Sequence, residues 1–116
     1  MAEDPSETEL AERYRPRLEA EREEIAESSA ASGESRRPVE LDQQSVGRLS
    51  RQDALQNQAM AQAQEARRSG RLRAIAAAVE RIEEGEFGFC EDCGDFIGWR
   101  RLDLDPCAVR CTDCAR

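Results

Sequence analysis

Histidine and lysine are both missing from this chain. The first absence removes the commonest general base and the second the usual Schiff-base nucleophile, so an enzyme is not expected. Aromatic residues make up only 4% of the sequence (one Trp, one Tyr, three Phe), too few to fill a large core. There is no run of about eighteen apolar residues that could span a bilayer. The first residues, Met1-Ala-Glu-Asp-Pro-Ser-Glu, are acidic where a secretory signal would be apolar. A cytoplasmic protein that stays off membranes is the expectation. Positive charge is also short: all 17 basic residues are arginine, they face 25 acidic ones, and the net charge is -8. Residues 1–40 carry a net -6, residues 41–84 a net +1 and residues 85–116 a net -3. Nucleic acid binding is driven by neutralising phosphates, so direct DNA binding is not expected of such a chain.

Cysteine is what the sequence does have, and it is confined to one stretch. Cys90-Glu-Asp-Cys93 and Cys111-Thr-Asp-Cys114 are two C-x-x-C pairs separated by residues 94–110. Four thiolates at this spacing can close a tetrahedron around one zinc ion. Without histidine the site must be all-sulfur or borrow a carboxylate. A closed all-sulfur site has no open position for water, so its role is structural and it contributes to folding directly. The competing disulfide knot fits poorly with five cysteines in a reducing compartment. Cys107, the fifth thiol, reads either as a small, partly buried residue or as a redox thiol able to exchange with the site. Its replacement is expected to leave zinc bound.

The remainder reads as helix. Asp4 is placed as an N-cap with Pro5 at the first helical position, and a helix is expected over residues 5–27. Leu10, Tyr14, Leu18 and Ile25 fall on one stripe of it. Pro16 implies a kink or a second start near Arg15. Residues 28–38 are small, polar and interrupted by Gly33 and Pro38, as in a loop. From Asp42 or Ser45 the pattern is helical again as far as residue 84, and Leu72, Ile75, Val79 and Ile82 form a heptad-like seam. So little of this helix is apolar that it should fold back on the first. The fold class is therefore mainly α: an antiparallel two-helix coiled-coil hairpin over residues 1–84, its distal turn near 28–45, joined to a four-cysteine finger over 85–116. Within the finger, Gly94 lets the chain turn so that backbone N–H groups face sulfur. Residues 96–102 read as a small hairpin, and Phe87, Phe89, Phe96 and Trp99 as a miniature core.

The block Gly85-Glu-Phe-Gly-Phe-Cys-Glu-Asp-Cys-Gly, with Ile97-Gly98, Arg100-Arg101-Leu102, Pro106 and Cys111-Thr-Asp-Cys114, resembles the C4-type zinc finger of the DksA/TraR family (DnaK suppressor proteins). The resemblance is close over residues 85–114 and extends in layout to residues 45–84. It implies a monomeric bacterial transcription regulator that binds RNA polymerase instead of DNA, entering the secondary channel with a coiled-coil tip that presents acidic residues. The Asp-x-x-Asp-x-Ala tip of well-known members is missing from this sequence. Asp42 and the Asp53-Ala54 pair are its nearest counterparts. Of the basic cluster that serves the alarmone ppGpp in some members only Arg67 aligns, so the resemblance gives little support for responsiveness to ppGpp. Two other readings compete: an interaction or nucleic-acid-binding finger using Arg100, Arg101, Arg110 and Arg116, and a thiol or zinc redox sensor centred on Cys107.

Overall fold

The computed structural model describes residues 4–33 and 48–115, with side chains from 51 onward in the second stretch. Its elements in chain order are α1 (Glu7–Ala31), α2 (Arg48–Glu84) and a six-residue α3 (Trp99–Leu104). The architecture is mainly α: two long helices packed antiparallel, followed by the four-cysteine module. No strand is present among the described residues; the only β pairing is an isolated antiparallel bridge between Phe89 and Phe96. The 37 residues of α2 make a rod of about 55 Å at 1.5 Å per residue.

Local sequence sets where each helix begins and ends. α1 starts two residues later than Asp4-Pro5 suggests, because Ser6 is the cap: its Oγ accepts a hydrogen bond from the N–H of Glu9 at 3.1 Å. Ser6 and Glu9 are spaced as in a capping box, and Glu7 and Glu9 place negative charge in the first turn, where the helix dipole favours it. Pro16 lies inside one continuous helix, with no second start. Residue 16 is exposed, so the Glu12 carbonyl that loses its N–H partner can turn to water. The helix also continues through Ser28–Ala31, residues expected to form loop. The expected distal turn, with Asp42, lies largely outside the described residues. α2 ends in a Schellman motif at Gly85: the N–H of Glu86 bonds the Arg81 carbonyl (2.9 Å) and that of Gly85 the Ile82 carbonyl (3.2 Å). The φ of 77° at Gly85 is the left-handed conformation this motif requires.

The chain divides into two compact units, Met1–Arg22 with Leu72–Arg116, and Glu23–Arg71. In the first, Leu10, Tyr14 and Leu18 of α1 and Ile75, Ala78 and Ile82 of α2 are buried, with Phe87, Ile97 and Leu102 from the module that follows. The seam of α2 thus keeps Ile75 and Ile82 of the sequence reading but differs at the other positions: Ala78 goes inside while Val79 and Leu72 are half-buried. In the second unit Ala61 is the one buried hydrophobic residue among those described. Polar contacts there include the Arg68 guanidinium, which donates to Ser32 Oγ at 3.2 Å and pairs with Glu65 at 3.3 Å.

Candidate metal centre and its buttress

The Schellman turn delivers the chain to the first cysteine pair. Arg81 secures the approach by donating from Nη2 to the carbonyls of Glu86 (3.1 Å) and Phe89 (2.7 Å). Gly88 follows with φ 91°, and a Cβ there would come within 3.1 Å of Leu10 Cδ1. Glycine is needed at this point for both the backbone angle and the close approach to α1.

Two similar knuckles then form. The N–H of Gly94 bonds the Cys90 carbonyl at 2.9 Å, and that of Ala115 bonds the Cys111 carbonyl at 3.0 Å, so both C-x-x-C segments curl in the same way. The first is fastened further by Cys90 N–H to the Asp95 carbonyl (2.8 Å) and Ile97 N–H to the Gly88 carbonyl (2.8 Å). Glu91 N–H to the Val109 carbonyl (2.8 Å) ties it to the approach of the second. This arrangement replaces the expected hairpin over residues 96–102. Phe96 pairs backwards with Phe89 across the knuckle, and the positive φ of Gly98 (110°) starts α3 at Trp99.

The Sγ atoms of Cys90, Cys93, Cys111 and Cys114 all lie within 4.8 Å of one another, with Cys93 and Cys111 at 3.7 Å. A regular tetrahedron with zinc–sulfur bonds of about 2.3 Å has edges of about 3.8 Å, so the donor set fits one zinc ion by chemistry and by size. Charge explains why the metal is needed. The Cys111 backbone N–H, ahead of those of Cys93 and Asp92, stabilises a thiolate on Cys90 against its burial and holds it down to about 6. The other thiols, Cys111 first, push Cys114 upward, because a further negative charge in the same small space is opposed. A divalent cation removes that opposition, so binding releases protons and stabilises the fold together. Cys107 is outside this group; its N–H donates to Asp105 Oδ1 at 3.0 Å in a local turn.

The strongest link between the module and α1 involves residues that the sequence does not single out. Asp103 of α3 receives Arg13 in a two-pronged contact (Nε to Oδ1 3.2 Å, Nη2 to Oδ2 2.8 Å) and the Tyr14 hydroxyl at 2.7 Å on Oδ1. Arg17 donates to the Asp103 carbonyl at 2.9 Å. The Arg13 hydrogen bond, followed by that of Tyr14, holds the Asp103 carboxyl below the usual carboxylate range. Burial, then the bond to Asp103, pushes the Tyr14 hydroxyl up to about 12. Arg13 also lies 4.8 Å over the Trp99 ring, and Tyr14 contacts both Phe87 and Trp99. The miniature core expected from Phe87, Phe89, Phe96 and Trp99 is therefore completed by Tyr14, the chain's single tyrosine. Spacing offered a hint: Arg13, Tyr14 and Arg17 occupy one side of a helix at i, i+1 and i+4, but nothing in the sequence names Asp103 as their partner.

The other candidate residues lie elsewhere. Asp53 is exposed and Ala54 half-buried, both within α2, and Arg67 is exposed on the same helix. Of the arginines considered for nucleic acid, Arg110 pairs with Glu91 and Asp92, each at 3.0 Å, and Arg101 donates to the Arg110 carbonyl at 2.7 Å. Arg100 is exposed, and Arg116 lies outside the described residues. Among the described residues no helix is long and apolar enough to cross a membrane.

Comparison with known proteins places this geometry. Residues 85–116 match the prokaryotic dksA/traR C4-type zinc finger. The RNA polymerase-binding transcription factor DksA of Escherichia coli K12 is 42% identical over 43 residues, which cover 37% of this chain and 28% of that relative. The protein of the same name from Haemophilus influenzae is 40% identical over 43 residues, covering 37% of this chain and 30% of its own length. The structure of transcription factor DksA2 from Pseudomonas aeruginosa superposes with a TM-score of 0.75 at 25% identity, over 91% of this chain and 80% of that one. Residues 85–116 thus match a DksA/TraR C4-type zinc finger whose four cysteines are placed for one structural zinc, and the helical fold of the chain is similar to that of DksA2.

Proposed function

We propose that this protein is a non-catalytic, cytoplasmic regulator that binds bacterial RNA polymerase as a monomer through its secondary channel. The observation that carries the reading is the combined likeness: finger residues similar to proteins named RNA polymerase-binding transcription factors, on a helical fold like that of DksA2 over nearly the whole chain. Charge supports it, since a chain at -8 is repelled by DNA and needs a protein partner to act on transcription. In this reading residues 1–84 reach into the polymerase and residues 85–116, with zinc on Cys90, Cys93, Cys111 and Cys114, hold the helix ends. The acidic group offered to the channel comes from Asp42 or from Asp53 with Ala54 beside it. The ppGpp response of some relatives is left out of the assignment, because Arg67 alone stands in for their basic cluster.

The nucleic-acid reading loses support from the pairing of Arg110 and the internal bond of Arg101. The test is native mass spectrometry with purified bacterial RNA polymerase, joined to transcription from a ribosomal promoter. A 1:1 complex and an altered initiation rate are expected, with Asp42→Asn or Asp53→Asn reducing the rate effect but not the binding. No complex and no change in initiation would overturn the assignment.

A further inference from the structure

Two of the arginines first weighed for nucleic acid are turned inward, toward the cysteines. Arg101 of α3 is half-buried, and its Nε donates to the Arg110 carbonyl at 2.7 Å. That carbonyl belongs to the same peptide unit as the Cys111 N–H. The unit is planar and trans, so its C=O and N–H point in opposite directions, and holding one end aims the other. The other end is aimed at sulfur: the Cys111 N–H is the leading hydrogen bond on the Cys90 thiolate. Arg110 then uses its side chain on the opposite knuckle. Its Nη2 meets Glu91 Oε1 and its Nε meets Asp92 Oδ2, both at 3.0 Å, and these acids are the two residues between Cys90 and Cys93. The bond from the Glu91 N–H to the Val109 carbonyl (2.8 Å) closes the same gap along the backbone. Both ion pairs are about half-exposed, so each by itself contributes little to stability. Their importance lies in what they join.

We propose that Arg101 and Arg110 are positioning residues of the zinc site. Arg101 orients the 110–111 peptide so that its N–H meets Cys90 Sγ, and Arg110 braces the two C-x-x-C knuckles at the spacing the ion requires. Arg110 touches both halves of the donor set, the first knuckle through its guanidinium and the second through its own peptide bond to Cys111. Charge gives it a second task. Four thiolates remain net negative with a divalent ion bound, so Glu91 and Asp92 would oppose the filled site if Arg110 did not neutralise them. The brace also reaches α1, because Asp103, which Arg13 and Tyr14 hold, is two residues from Arg101 on the same short helix. Groups that orient the ligands of a metal site in this way change its affinity by about 10–100-fold when removed. The inference concerns how firmly zinc is retained and stands apart from the polymerase reading.

The test uses the full chain with zinc itself as the probe. The zinc Kd is measured by competition with a chromophoric chelator, and the release rate by transfer to excess chelator, for wild type, Arg101→Ala, Arg110→Ala, Arg101→Lys and Arg15→Ala. Arg101→Ala and Arg110→Ala should each weaken zinc binding about tenfold and speed release, at the low end of the range because the groups are partly exposed. Combined, they should cost less than the product of the two, since both act on the 110–111 peptide. Arg101→Lys keeps a donor for the carbonyl and should recover most of the loss. Arg15→Ala breaks a pair between α1 and α2 in the same compact unit and should bind zinc as wild type does. In the cobalt(II)-loaded chain the sulfur-to-metal charge-transfer band should move to longer wavelength in Arg101→Ala, because a thiolate without its N–H donor gives up electron density more readily, and should return in Arg101→Lys. A general loss of stability would leave that band in place. Unchanged zinc affinity in both alanine variants, an equal loss in Arg15→Ala, or no recovery in Arg101→Lys overturns the proposal. Should Arg101→Ala fail to fold, Arg110→Ala decides alone: weakened zinc binding with Arg15→Ala unaffected supports the brace, and unchanged binding removes it.

Discussion

The two compact units contrast in how they are held. Among the described residues, the unit of Met1–Arg22 and Leu72–Arg116 contains ten of the eleven buried hydrophobic residues, every aromatic contact and the four converging thiols. The unit of Glu23–Arg71 has Ala61 buried, Leu55 and Met60 exposed, and side chains that are mostly alanine, glutamine, glutamate and arginine. In the first, tertiary packing and metal ligation dominate. The second relies on residues with good intrinsic helix propensity and on local polar contacts, which individually contribute little. Segments with few buried apolar contacts open at lower free energy, so the second unit is where adaptation to a partner is cheapest.

The largest test of this contrast is to remove a metal ligand. Cys90→Ser, Cys93→Ser, Cys111→Ser or Cys114→Ser should release zinc and unfold the finger, a loss taken from a structural-zinc binding free energy of about 10–16 kcal/mol. Cys107→Ser should keep both metal and fold. Metal analysis with near-ultraviolet circular dichroism, which reads the single tryptophan, separates these outcomes; zinc loss from Cys107→Ser would remove the four-cysteine assignment.

Next in size is packing. Tyr14→Ala should destabilise by about 3–5 kcal/mol, as expected when a buried aromatic is truncated. Ala61→Gly in the other unit should cost only about 1 kcal/mol, mainly through helix propensity. Denaturant midpoints measured with zinc bound would erase the contrast if the two losses came out equal.

The smallest effects are in titration. Tyr14 has a raised folded value of about 12, so its contribution is fully present below the unfolded tyrosine value of about 10 and is lost as pH rises through about 12. Absorbance of the one tyrosine should show ionisation near 12; ionisation near 10 with the fold intact would mean that the ring is not held as described. Asp103 acts in the opposite sense. Its folded value is lowered, so its contribution is present above the unfolded value of about 3.9 and is lost as pH falls through the folded one. At matched pH the stability difference between wild type and Asp103→Asn should shrink on acidification.

Periodicity and cysteine spacing made much of this molecule legible. Leu10, Tyr14 and Leu18 fell on one stripe and are buried together, and the two C-x-x-C pairs predicted the convergence of four thiols. Reading failed where the deciding contact was distant or marginal. Ser6 displaced Asp4 as cap because it has Glu9 three residues on, and the hairpin over 96–102 gave way to α3 because Gly98 turns the chain and Leu102 finds a buried place. Asp103 was invisible because it lies about ninety residues from Arg13 and Tyr14.

What the sequence determines by itself is local or chemical: two long helices from their propensity and pattern, and a closed all-sulfur zinc site from cysteine spacing without histidine. Tertiary structure alone decided that Tyr14 joins the finger's core, that Ala78 faces inward, and that Asp103 fastens α3 to α1 with Leu104 left outside. The physical reason is the range of the forces. Propensity, capping and ligand spacing act within a few residues along the chain, whereas packing and hydrogen-bond choice depend on which distant side chains the fold has already brought into reach.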